Sequence, residues 1–186
     1  MKHTKYYVEG YPRPQFVKPN WKSLDGKWDF AFDDEVVGIK QKWFNEFPKD
    51  LEINVPFSYH TKLSGIERIE EHNVVWYHKD VFYDDNLEGK CLLLNFDGSD
   101  YFTKVWVNGE SVGTHTGGYV SFSFDITSKV KDGKNIITIS ATDDTRSRNQ
   151  PVGKQSALFN SHGCFYTRTT GIWQTVFQLK YLKNAY

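Results

Sequence analysis

Helical spacing of apolar residues is nearly absent from this chain, and strand-like runs recur from end to end. Trp28-Asp-Phe-Ala-Phe32 alternates, and Val74-Val-Trp-Tyr-His-Lys-Asp-Val-Phe-Tyr83 is dense in β-branched and aromatic residues. Asn135-Ile-Ile-Thr-Ile-Ser-Ala141 sets Ile137, Ile139 and Ala141 on one face, as a half-buried strand requires. Cys91–Phe96, Phe102–Asn108, Ser111–His115, Val120–Asp125 and Gly171–Leu182 extend the series. Residues 35–47, with Val36, Val37, Ile39, Trp43 and Phe44, predict at most a short helix or an irregular turn. Residues 1–20, including Tyr11-Pro-Arg-Pro-Gln15, lack periodicity and predict an extended arm.

Turn chemistry separates the strands. Asn108-Gly109 is the pair a two-residue hairpin favours, because both positions need positive φ. Asp84-Asp-Asn-Leu-Glu-Gly89 and Lys131-Asp-Gly-Lys-Asn135 read as further turns. Many short strands at close spacing predict an all-β sandwich or jelly roll. With no internal repeat or low-complexity linker, one domain is expected: the arm over residues 1–20 and a sandwich over 21–186. Two loops exceed what packing demands, Pro56 to Asn73 and Asp143 to about Phe165, and long loops in compact domains tend to carry function.

The 23 basic and 23 acidic residues are interspersed and cancel, which leaves no basic footprint for nucleic acid or an anionic membrane. Aromatics at 17% suit strands, and their faces also suit the apolar faces of pyranose rings. The N-terminus has no apolar core of a signal peptide, and no apolar run reaches the ~18–20 residues of a membrane span. Cys91 opens an apolar strand and is expected as a buried free thiol, so Cys91 and Cys164 are read as reduced and the location as cytoplasmic.

Candidate chemistry is sparse. Glycoside hydrolysis needs two carboxyl groups flanking a scissile bond. The acids here, Asp33-Asp34-Glu35, Glu67, Glu70-Glu71, Asp84-Asp85, Asp97 with Asp100, and Asp143-Asp144, fall mostly in turns, where solvated carboxylates are the norm. There is no Gly-x-Ser-x-Gly elbow and no His or Cys spacing typical of zinc; Gly117-Gly118 does not lead into a helix as a phosphate loop would. No catalytic residue, metal or cofactor is therefore expected. The polar stretch Gln150 to Arg168 is the exception. It mixes donors (Lys154, Gln155, Asn160, His162, Arg168) with rings (Phe159, Phe165, Tyr166), a composition that fits hydroxyl recognition, with a docking surface or a merely packed loop as the plainer reading.

Several motifs arrive in a set order: Tyr11–Gln15, Leu24-Asp-Gly-Lys-Trp-Asp-Phe30, Val55-Pro56-Phe57, Val75-Trp-Tyr-His-Lys79, Val105-Trp-Val-Asn-Gly109, His115-Thr-Gly-Gly-Tyr119, Phe124-Asp-Ile-Thr127 and Thr170-Gly-Ile-Trp-Gln174. Together they resemble the N-terminal domain of glycoside hydrolase family 2, the β-galactosidases, β-glucuronidases and β-mannosidases. The resemblance implies a galactose-binding-like jelly roll, labelled sugar-binding, that precedes an immunoglobulin-like sandwich and a (β/α)₈ barrel bearing both catalytic glutamates. It implies a non-catalytic role for this chain within a retaining glycosidase, with a β-glycoside and the downstream domains as partners, and leaves a homo-oligomeric parent open. Galactosidases and glucuronidases of the family carry a sugar-contacting aspartate six residues before the Gly-Ile pair, where this chain has Phe165. Phe165, Tyr166, Arg168 and Gln155 are then the candidate substrate-binding residues. A free-standing carbohydrate-binding module and a structural docking domain stay open as alternatives.

Overall fold

A computed structural model describes residues 20–83, 87–147, 149–158 and 160–183. The Tyr11–Gln15 motif, Phe159 and part of the Asp84–Gly89 turn lie outside these. The described strands in chain order are β1 (Trp21–Ser23), β2 (Gly26–Phe32), β3 (Leu51–Val55), β4 (Val74–Tyr83), β5 (Lys90–Phe96), β6 (Ser99–Asp100), β7 (Phe102–Val107), β8 (Glu110–Thr116), β9 (Phe122–Asp125), β10 (Gly133–Thr142), β11 (Gly171–Ile172) and β12 (Val176–Leu182). They form a four-stranded sheet, β1-β12-β5-β9, facing a six-stranded sheet, β3-β2-β4-β10-β7-β8, with β11 and β6 as a small third pair. Every pairing is antiparallel, and the architecture is a jelly-roll β-sandwich.

Alternation decides which side chains fill the core. Leu92, Leu94 and Phe96 of β5 point inward against Val75 and Tyr77 of β4 and Ile137, Ile139 and Ala141 of β10, all buried. The outer face of the six-stranded sheet holds a second, smaller core. Val74, Trp76 and Trp106 lie under Trp43, Phe44 and Phe47, and Trp106 stacks on both Phe44 and Trp76. The irregular turns over 34–46 are shaped by Asp33, whose carboxylate accepts the N–H groups of Val37 and Gly38 and the Trp76 indole. They supply Trp43 and Phe44, which with Phe47 cap this face.

The hairpin forms as its turn chemistry requires: Asn108 and Gly109 have φ of 52° and 80°, and Val107 faces Glu110. Other expectations need correction. Gly171–Leu182 is two strands in two sheets, because the Trp173 and Gln174 N–H groups turn aside to the Gly98 carbonyl. The strand expected from Val120 starts at Phe122, which leaves Tyr119 and Val120 in an exposed loop. Cys91 is half-buried on the outer side of β5, since Leu92 takes the inward position. β3 has no counterpart among the expected strands.

Candidate functional site

Both long loops lie at the end of the sandwich where β4 begins and β10 finishes, and they are tied to one another. Glu71, on the 56–73 loop, accepts Arg168 Nη1 on Oε1 and Arg146 Nε on Oε2, each at 2.8 Å. Arg168 Nη2 also donates to the Tyr59 hydroxyl at 3.0 Å. The guanidinium of Arg168, 10% exposed, is thus a brace between the loops. Beside it, burial and then the Arg168 charge hold His60 below its ordinary value.

The 143–170 loop is anchored inward by amides on two buried acids. Gln155, 5% exposed, donates from Nε2 to Asp100 Oδ2 at 2.9 Å and accepts the Thr169 N–H on Oε1 at 2.8 Å. Gln150 Nε2 donates to Asp143 Oδ1 at 2.5 Å, and Thr170 Oγ1 to Asp143 Oδ2 at 3.0 Å. Burial raises both acids. In Asp100 the neighbouring Asp143 charge adds to burial and Gln155 opposes it, leaving the carboxyl near 7. In Asp143 burial is opposed by Thr170, Gln150 and Arg168. Gly118 closes over Asp100 so tightly that a Cβ there would stand 2.5 Å from Oδ1.

From this base the loop presents an aromatic rim. Residues 154–156 run beside Tyr166: the Tyr166 N–H donates to the Lys154 carbonyl and the Ser156 N–H to that of Tyr166. A tight return bonds His162 and Phe165 through both backbone groups, and their rings stack at 5.2 Å. Phe165 and Tyr166 are 42% and 41% exposed. Tyr119, 61% exposed on the β8–β9 loop, brings its hydroxyl to 2.5 Å from that of Tyr166. Burial, and after it the Tyr166 hydrogen bond, push the Tyr119 phenol up. Trp173 braces the Tyr119 ring at 5.6 Å and donates its indole N–H to the Gly118 carbonyl.

Of the four residues expected to face a sugar, the structure exposes Phe165 and Tyr166 and turns Gln155 and Arg168 inward as supports. Tyr119 was not among them. It stood in the His115–Tyr119 motif without an assigned role, and only tertiary folding brings it beside a residue 47 positions away.

The sequence profile described as "Glycosyl hydrolases family 2, sugar binding domain" matches residues 21–179. The chain belongs to this family. The sugar-binding domain is 32% identical over 115 residues to a β-galactosidase of Thermoanaerobacter pseudethanolicus, covering 61% of this chain and 15% of that protein. It is 30% identical over 120 residues to a β-glucuronidase of Paenibacillus borealis, covering 63% of this chain and 20% of the relative. A solved β-glucuronidase of Ruminococcus gnavus in complex with a C6-substituted uronic isofagomine superposes with a TM-score of 0.72 at 24% identity, over 96% of this chain and 31% of that one. That likeness establishes the fold. The sugar-binding domain spans a fifth or less of these two curated relatives.

Proposed function

We propose that this chain is the non-catalytic, carbohydrate-contacting N-terminal domain of a longer retaining β-glycosidase. In this reading it packs on a downstream (β/α)₈ barrel that bears the catalytic carboxylates, and it lends the barrel's pocket an aromatic edge. The observation that carries the reading is the rim of Tyr119, Phe165 and Tyr166, exposed rings that two loops bring side by side, with Gln155 turned inward beneath them. Phe165 stands where galactosidases and glucuronidases of the family place an aspartate, so the contact becomes stacking on the apolar face of a pyranose, with the paired Tyr119 and Tyr166 hydroxyls available to sugar hydroxyls. The two acids nearest the rim, Asp100 and Asp143, are engaged by glutamine amides and serve the loop.

Kinetics test this. In the full-length enzyme, Tyr166→Ala is expected to raise KM for an aryl β-glycoside about tenfold, equivalent to ~1.4 kcal/mol of lost contact, with kcat little changed. The isolated chain should release no aglycone. Unchanged KM with disturbed assembly would instead favour a structural docking role, and turnover by the purified chain would overturn the non-catalytic assignment.

A further inference from the structure

A buried hydroxyl decides which nitrogen of a rim imidazole carries hydrogen. Ser156 is 3% exposed, and three groups surround its Oγ: the Asn160 carbonyl at 2.9 Å, the Leu158 N–H at 3.0 Å and His162 Nδ1 at 3.1 Å. A serine hydroxyl has one hydrogen to give and two lone pairs to fill. The Asn160 carbonyl only accepts, so the hydrogen goes there. The Leu158 N–H only donates and takes one lone pair. The second lone pair faces His162, so Nδ1 brings a hydrogen of its own. In a neutral imidazole the other nitrogen, Nε2, is then a bare acceptor. His162 is exposed, and no group among the described residues bonds its Nε2.

The same ring is held against Phe165. The two residues bond through both backbone groups, with Gly163 between them in left-handed backbone at φ of 54°. Their rings stack with centroids 5.2 Å apart and planes 24° from parallel, an offset that lets the imidazole project past the phenyl edge. We propose that His162 is a specificity-determining sugar contact, whose Nε2 accepts a hydroxyl of a pyranoside that meets Phe165. It restores an acceptor three residues before the position where Phe165 replaces the aspartate of related galactosidases and glucuronidases. The nearby carboxylates do not supply one, since Asp100 and Asp143 are buried and hold glutamine amides. Because Nε2 offers no hydrogen, it selects a hydroxyl over a carboxylate or any other pure acceptor. The inference deepens the sugar-facing reading of the rim and rests on it.

Side-chain ¹⁵N spectra of the histidine-labelled chain at about pH 8 test it without any variant. His162 should show a protonated Nδ1 and a pyridine-type Nε2, the tautomer that free histidine disfavours. The reverse tautomer would overturn the inference whatever the sugar does. Adding methyl β-galactoside should then move the Nε2 resonance saturably, together with the amides of the rim. Rim amides that respond while Nε2 stays still would sink His162 as a contact and leave the sugar-facing rim standing. No response from either would sink that reading, and this one with it. His162→Phe keeps a ring against Phe165 but removes the acceptor, and is expected to weaken Kd about fivefold, the worth of one hydrogen bond. His162→Gln, whose amide oxygen reaches nearly as far as Nε2, should recover most of that loss. His162→Asn, which reaches only as far as Nδ1, should not. Equal Kd for the wild type and His162→Phe would contradict the assignment.

Discussion

Gly171→Ala is expected to lower the melting temperature by roughly 10 °C, the equivalent of about 3–4 kcal/mol in a domain of this size. Two effects add. Gly171 has φ of 86°, and an L-residue held in left-handed backbone costs ~1–2 kcal/mol. The new Cβ would also stand 2.2 Å from the Tyr77 hydroxyl and 2.9 Å from Val75 Cγ2, both on fully buried residues of β4. Overpacking of that kind costs ~1–3 kcal/mol, and moving Tyr77 removes the acceptor of the buried Ile172 N–H. Thermal unfolding followed by circular dichroism checks this. A change under about 3 °C would mean that β11 has room the structure denies it.

Arg168→Ala is expected to cost about 3 kcal/mol in a denaturant titration, the low end of the ~3–5 kcal/mol for breaking a buried ion pair from one side. Glu71, whose side chain is 16% exposed, would lose the partner at 2.8 Å but keep Arg146, which is why the low end applies. Tyr59 would lose the donor at 3.0 Å, and the two long loops the brace between them. Arg168→Lys should recover only part of the loss, since an ammonium cannot serve Glu71 and Tyr59 with the same fork. If Arg168→Ala lies within about 1 kcal/mol of wild type, the guanidinium is not a brace and its assignment as a sugar contact regains weight.

The fold was largely legible because its determinants are local. The face of Ile137, Ile139 and Ala141 and the Asn108-Gly109 turn depend only on period-two spacing and positive φ, which neighbouring residues announce. The misses are tertiary. Nothing in Gly171-Ile-Trp-Gln-Thr-Val176 says that the Gly98 carbonyl will capture Trp173 and Gln174 and split the strand. Leu51-Glu-Ile-Asn-Val55 is short and lies at a sheet edge, where pairing with β2 carries the strand more than its own pattern. At the site, residue type pointed to donors and rings, and the structure exposes the rings of Phe165 and Tyr166. Gln155 and Arg168 could not be sorted by type, because an amide or guanidinium serves a buried acid as readily as a sugar hydroxyl. Their partners, Asp100 and Glu71, are far off in sequence.

The rim of Tyr119, Phe165 and Tyr166 is where we propose that carbohydrate meets this domain. Titrating the ¹⁵N-labelled chain with methyl β-glucuronide and methyl β-galactoside, read by amide shifts, tests it most directly. The prediction is a saturable response confined to residues around 119–120 and 165–166, with Kd on the order of 1 mM, or about −4 kcal/mol, weak because one edge of a pocket acts alone. No saturable shift at roughly a hundredfold higher concentration, or a response centred away from the rim, would contradict it.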